Sequence, residues 1–202
     1  MPARKPSSDR RNQIVKSALN LAYEHGPENV STGMIATMIG ISQPAIYKHF
    51  RNKEDIWTAV GHVLAAKISR NIDTAKRAGL APVPGVQSLV LSHIDLLRKN
   101  PAMPELMTRR TTTNSRTEFF NTMQKAMRVF QSALERAVIR AVDTGHFRQD
   151  LVISDAVLLI LGLIQSLVLR MYILRDTAML NNDGARLLDM LLSGFSPKGE
   201  IR

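Results

Sequence analysis

Residues 31–53 read STGMIATMIGISQPAIYKHFRNK, and the spacing inside this stretch decides the fold. Ile35 and Ile39 stand four apart, on one face of a short helix, and Ala36 beside them is small enough for a second helix to cross closely. Gly40 ends that helix, because glycine takes the left-handed conformation of a tight turn at little steric cost. Ser42 is placed to cap a second helix of about seven residues, and Pro44 falls in its first turn, where a missing amide hydrogen is not wanted. Ile46 and Phe50 repeat the four-residue spacing and point inward, which projects Pro44, Ala45, Tyr47 and Lys48 on the opposite side. Helix, glycine turn and helix with a small polar outer face is the helix-turn-helix pattern.

The rest of the chain agrees with a helical protein. Its 202 residues are 45% apolar and only 5% aromatic, a balance that suits a globular core built from helices rather than sheet. The absence of cysteine excludes disulfides and thiolate metal sites and fits a reducing cytoplasm. The net charge of +10 is unevenly spread: residues 1–53 carry eight Lys/Arg against three Asp/Glu, and the other 149 carry nineteen against fourteen. Positive charge is therefore densest around the helix pair, as a polyanionic partner requires. The N-terminal MPARKPSSDRR is basic without the apolar run of a signal peptide. It reads as an arm, in which Arg4 and Lys5 can enter a minor groove or stay idle.

Periodicity and stop signals predict nine helices and an all-α fold: an N-terminal three-helix unit over 1–53 and a helical domain over 54–202. Helix 1 spans about 9–25, capped by Ser8 or Asp9, with a buried stripe of Ile14, Ala18, Leu21, Ala22 and His25. Asn52 caps helix 4, which runs to about 76, and Gly79-Leu-Ala-Pro-Val-Pro-Gly85 is a break. Helices 5 and 6 follow at about 86–99 and 104–110, and a capping box at Ser115–Glu118 opens helix 7. Helix 8 covers about 152–175 and helix 9 about 183–195. Residues 151–169 approach the length of a membrane span, yet Asp155, Gln165 and Ser166 argue against insertion. A helix this apolar in a soluble protein is covered on two fronts, by its own bundle and by a second subunit. Leu159, Gly162, Leu163 and Ser166 of helix 8, with Leu187, Leu191 and Phe195 of helix 9, form the expected homodimer face.

The run Gln43-Pro-Ala-Ile-Tyr-Lys-His-Phe-Arg-Asn-Lys53, with its preceding glycine turn, resembles the recognition-helix signature of the TetR (tetracycline-repressor-like) transcriptional regulators. The resemblance covers roughly the first quarter of the chain; beyond it only length and helical layout match. It implies a homodimer built on a four-helix interface, and a palindromic double-stranded DNA operator read by two copies of the helix pair. Gln43 is suited to a base edge, and Pro44 and Ala45 to a thymine methyl. Tyr47 reaches a phosphate or a base. Ser42, Lys48, His49, Lys53 and the amino end of helix 2 at Thr32 are suited to the backbone. Tyr47 and His49 are equally readable as scaffold. Gly33 departs from family members with a long polar residue there, so helix 2 adds little to base selection.

The resemblance also implies a small-molecule effector inside helices 4 to 8. Leu64, His93, Leu97, Met103, Met107, Phe119, Met123 and Gln165 are the candidate lining, suited to a mostly apolar effector; singly, each also reads as core. No cofactor is implied. The sequence has no nucleophile elbow, Walker loop, dinucleotide fingerprint or zinc-protease motif, and its five histidines lack paired metal-ligand spacing. Catalysis is not expected. The Arg109, Arg110 and Arg116 cluster reads as a solvated loop. A sequence-tolerant nucleic-acid binder, or a carrier of apolar ligands or lipids, would share parts of this pattern; the turn-and-helix grammar favours a site-specific regulator, and the family resemblance implies a repressor.

Overall fold

The computed structural model describes residues 7–108, 117–174 and 178–197. The basic arm at Arg4 and Lys5, the start of the capping box at Ser115, and the Arg109, Arg110 and Arg116 cluster lie outside them. Among the described residues the chain is all-α, with no strand: α1 Ser7–His25, α2 Thr32–Met38, α3 Gln43–Tyr47, α4 Lys53–Arg77, α5 Pro82–Lys99, α6 Met103–Thr108, α7 Thr117–Asp143, α8 Ile153–Leu174 and α9 Ala178–Ser193. It divides into two compact units, Met1–Ala66 with Asn100–Gln124, and Lys67–Lys99 with Lys125–Arg202.

The first unit buries Ile14, Ala18, Leu21 and Ala22 of α1 against Ile35 and Ala36 of α2 and Ile46 of α3. His25 departs from the expected stripe: it is exposed, 3.7 Å from Glu24, and its carbonyl accepts from the Asn29 side chain at 2.7 Å. The free carbonyls in the last turn of a helix need donors of this kind, and the side chain there faces solvent. Asn52 caps α4 as expected, its side-chain oxygen accepting from the Asp55 amide at 2.8 Å. Asp55 reaches back to the Arg51 amide at 3.1 Å and to its guanidinium at 2.9 Å. The hydrogen bonds from Arg51 hold the Asp55 carboxyl below the usual carboxylate range. Farther along α4, a side chain at Gly61 would come within 3.1 Å of the buried Phe119 ring of α7. Glycine is thus what lets those two helices approach.

In the second unit α5 packs on α8 and α9. Its start differs from expectation by four residues, since Pro82 and Pro84 lie inside the first turn rather than in a break. Their missing amides fall where helix donors are unsatisfied anyway, and the Gly85 amide closes the first helical bond onto the Ala81 carbonyl at 2.8 Å. The break is short, turned by Gly79 at φ +57°. The Asn71 side chain donates to the Ser92 carbonyl at 3.0 Å, fixing α4 on α5, and Gln87 donates to Asp189 at 2.7 Å, fixing α5 on α9. α9 begins five residues earlier than the spacing predicts and ends two earlier. Phe195, expected at a subunit face, is buried in its own protomer, edge-to-face with Phe147 at 5.5 Å. The stripe on α9 is wide enough to serve either side, and the α7–α8 connection, whose Arg148 amide bonds the Phe195 carbonyl at 2.9 Å, claims that end of it.

His93 of α5 is buried and stacked on Phe130 of α7, ring centroids 4.2 Å apart. Burial lowers its pKa from 6.5 to about 4, so the fold holds the neutral imidazole. The folded value lies below the unfolded one. The corresponding stability is therefore present above pH 6.5 and lost as pH falls toward 4, on the order of 3 kcal/mol. Denaturant unfolding of the wild type across pH 7 to 4 should show this loss. His93→Phe, which keeps the stack and removes the titration, should show a shallower one; equal acid limbs would rule the assignment out.

Candidate nucleic-acid interface

α3 is five residues long rather than about seven, and it is positioned from three directions. From below, Ile46 and Phe50 are buried. From α1, the Arg11 guanidinium lies over the Phe50 ring at 4.1 Å and donates to the His49 carbonyl at 2.5 Å, closing the helix C-terminus. From α2, the Thr32 hydroxyl accepts from the Gln43 side-chain amide at 2.8 Å and lies 3.3 Å from the Tyr47 hydroxyl. The turn between α2 and α3 runs through Gly40 at φ +67°, a conformation that L side chains adopt at a cost.

The outer surface follows from this anchoring. Gln43, Pro44 and Lys48 are exposed, Tyr47 is 49% exposed, and Ala45 and His49 are half-buried. Lys53 is half-buried and its ammonium donates to the Glu28 carbonyl at 3.2 Å, tying α4 to the segment after α1. Thr32 is 7% exposed, with its hydroxyl engaged by Gln43 and Tyr47. It orients two outer side chains rather than presenting its own oxygen. The α2 cap is Ser31, whose hydroxyl accepts from the Met34 amide at 3.1 Å. A serine directly before the first helical residue is a cap signal that the sequence carries locally.

Ser42 occupies the cap position of α3 but makes no side-chain cap bond, contrary to expectation. A cap oxygen bonds the second or third helical amide. The second residue is Pro44, which has none, and the third amide, of Ala45, goes to the Ser42 carbonyl at 2.9 Å. The exposed Ser42 hydroxyl is therefore not committed within the turn.

Of the expected effector-lining residues, Leu64, His93, Leu97, Met103, Phe119 and Met123 are buried and Met107 is half-buried. Gln165 is exposed, because it follows Ile164 by one residue and so turns about 100° away from the buried face of α8. On α8 the side opposite the core carries Leu158, Leu159, Gly162, Gln165, Ser166, Leu169, Tyr172 and Ile173 as a continuous exposed stripe. Leu163, Leu187 and Leu191 are half-buried. α8 is also the one helix among the described residues long and apolar enough to cross a membrane, although only 28% of its apolar window is buried in the single chain.

Comparison with known proteins places this architecture. Residues 14–60, the helix pair with most of α1 and the start of α4, match the family of bacterial regulatory proteins, tetR family. The match lies in the N-terminal part of the chain, where this sequence is similar to that family's DNA-binding segment. It is 24% identical over 106 residues to the nucleoid occlusion factor SlmA of Haemophilus ducreyi, 52% of each chain. The chain thus spans about half the length of the curated relatives it matches. Over almost its whole length it shares a fold with solved regulators. The ketosteroid transcriptional regulator KstR2 of Mycobacterium tuberculosis superimposes with a TM-score of 0.76 at 15% identity, over 94% of this chain and 96% of that one. The regulator FadR of Bacillus subtilis, solved with stearoyl-CoA, gives 0.67 at 20%, over 91% and 98%.

Thr32→Val removes the hydroxyl and keeps the shape, so α2 and α3 lose their polar tie. Stability should fall by about 0.5–1.5 kcal/mol, since the exposed Gln43 amide regains water. A shifted denaturant midpoint with unchanged slope is the expected readout, and an unchanged midpoint would show that the tie contributes nothing.

Proposed function

We propose that this protein is a cytoplasmic transcriptional regulator and not an enzyme, acting as a homodimer that sets α3 of each copy in the major groove of one half of a palindromic operator. It works as a repressor, released by a small and mostly apolar effector. The observation that carries this reading is the outer face of α3: a five-residue helix anchored underneath, with Gln43, Pro44 and Lys48 exposed and Gln43 already held in place by Thr32.

A primary amide so held keeps its oxygen and one N–H for the edge of an adenine. Pro44 and Ala45 lie where a thymine methyl packs, Tyr47 reaches a phosphate or a base, and Ser42, Lys48, His49 and Lys53 face backbone phosphates. Residues 1–53 then act as the reader and 54–202 as the effector-binding and dimerisation domain. One such helix spans too few base pairs to choose a site in a genome, so the reader must be doubled. The stripe on α8 supplies the means. Leu158, Leu159 and Leu169 are 69%, 53% and 58% exposed, and Gly162 between them has no neighbour within 4 Å of the place a side chain would take. Small residues within an apolar stripe suit close helix pairing, and an apolar patch this continuous marks an interaction surface. Asp155 and Arg170, exposed on the same helix, suit a second copy better than lipid. Leu163, Ser166, Leu187 and Leu191 border the same face. The solved regulator bound to stearoyl-CoA and the one named for ketosteroids support an apolar effector.

Selection of bound duplexes from random DNA should return two half-sites related by a two-fold axis. Lys48→Ala should weaken binding to every sequence and flatten the salt dependence by about one unit. Gln43→Ala should cost roughly 1–3 kcal/mol at one base pair only. Leu159→Glu with Leu169→Glu should give monomers in light scattering and lose operator affinity. A wild-type chain that remains monomeric and binds all duplexes alike would overturn the reading.

A further inference from the structure

The cleft with the clearest chemistry lies away from the expected lining. It has a volume of about 250 Å³ and opens where the end of α4, the start of α5 and the C-terminal half of α7 meet, inside the second compact unit. Its floor is apolar, including Leu80, Leu89 and Ala133, and its charged lining is Lys76, Arg136 and Arg140. No carboxylate lines it, and none pairs with these three cations among the described residues. Two of them have an ordinary reason to be there. Lys76 and Arg140 stand in the last turns of α4 and α7, where the helix dipole favours a cation. Arg136 stands one turn earlier and has no such reason. Three cations lining one concave apolar surface, with no acid among the lining to neutralise them, make a cleft suited to an anion.

We propose that this cleft binds a compact amphiphilic acid, its apolar body on the Leu80–Leu89–Ala133 floor and its carboxylate between Lys76, Arg136 and Arg140. At about 30 Å³ per water-sized group the space takes on the order of ten non-hydrogen atoms. A medium-chain or simple aromatic carboxylate is of that size. A long acyl chain would extend beyond the cleft, and an inorganic anion leaves the floor wet. The planar guanidinium groups favour the bidentate geometry of a carboxylate. α4 is one uninterrupted helix from its Asn52 cap beside α3 to Lys76 in the cleft, so occupancy acts on a helix that the reader shares. That regulatory role rests on the DNA-binding reading above; the binding itself does not.

Titration calorimetry on the full chain with octanoate tests it. The expected result is saturable binding of one octanoate per chain, weakened at least about tenfold in Arg136→Gln/Arg140→Gln, both exposed positions that leave the fold intact. Octanol, which lacks the charge, and inorganic phosphate, which lacks the body, should each bind at least about tenfold more weakly. Ala137→Leu, at a half-buried lining position, should block octanoate while circular dichroism stays unchanged. No octanoate binding, binding indifferent to the double variant, or phosphate binding as tight as octanoate would each overturn the proposal. Adding octanoate to the protein on its selected duplex then separates the two readings: a chain that binds octanoate but no particular DNA fails as a regulator while the cleft stands.

Discussion

A helix of five residues cannot hold itself together in water, because nucleation consumes more order than one turn of hydrogen bonds returns. α3 exists because Ile46 and Phe50 are buried and because its two ends are tied by side chains from other helices. Arg11 closes its last turn from α1, and Thr32 holds its first turn from α2. Removing the anchors would leave Gln43, Tyr47 and Lys48 on a disordered loop, chemically unchanged and unable to read anything. The short length is also useful. Nearly all of its unburied surface belongs to Gln43, Pro44 and Tyr47, the side chains on which the proposed DNA reading rests.

This arrangement was legible where the signals are local. Glycine at 40, the four-residue spacing of Ile46 and Phe50, and asparagine at 52 each act within a turn or two of themselves, so the sequence carries their consequences directly. It failed where a partner comes from far along the chain. Thr32 looks like any exposed hydroxyl at a helix start until Gln43 and Tyr47, eleven and fifteen residues later, converge on it. Phe195 continues a leucine stripe that reads equally well toward either neighbour, and only the placement of Phe147 assigns it. Ser42 carries the right residue type for a cap, but a proline two residues on removes one amide it would have bonded. The converse error occurred at Pro82 and Pro84, where helix-breaking residues open a helix.

The same limit explains why one cleft was not anticipated. Lys76, Leu80, Arg136 and Arg140 are unremarkable in their own segments, two of them being ordinary helix-end cations. Their common property is convergence, which no periodicity encodes. The expected effector lining rests on methionines and on side chains suited to an apolar ligand, and among them Phe119, Leu64 and Met123 are all but inaccessible. Close-packed side chains in good contact have no room to give without cost.

The placement of the cleft bears on how a ligand can control a DNA reader. Coupling between two sites equals the difference in ligand affinity between the two states of the protein, and nothing more. An element shared by both sites is the economical way to create that difference, and α4 is such an element, capped by Asn52 at one end and contributing Lys76 to the cleft at the other. Its hold on α5, through Asn71 and Ser92, lies between one and two turns before Lys76 and beside Ile72 at the cleft's edge, so under the proposal above a ligand that draws Lys76 toward Arg136 and Arg140 pulls on a helix already fixed near that point. A rigid helix turned about a nearby fixed point moves most at its far end.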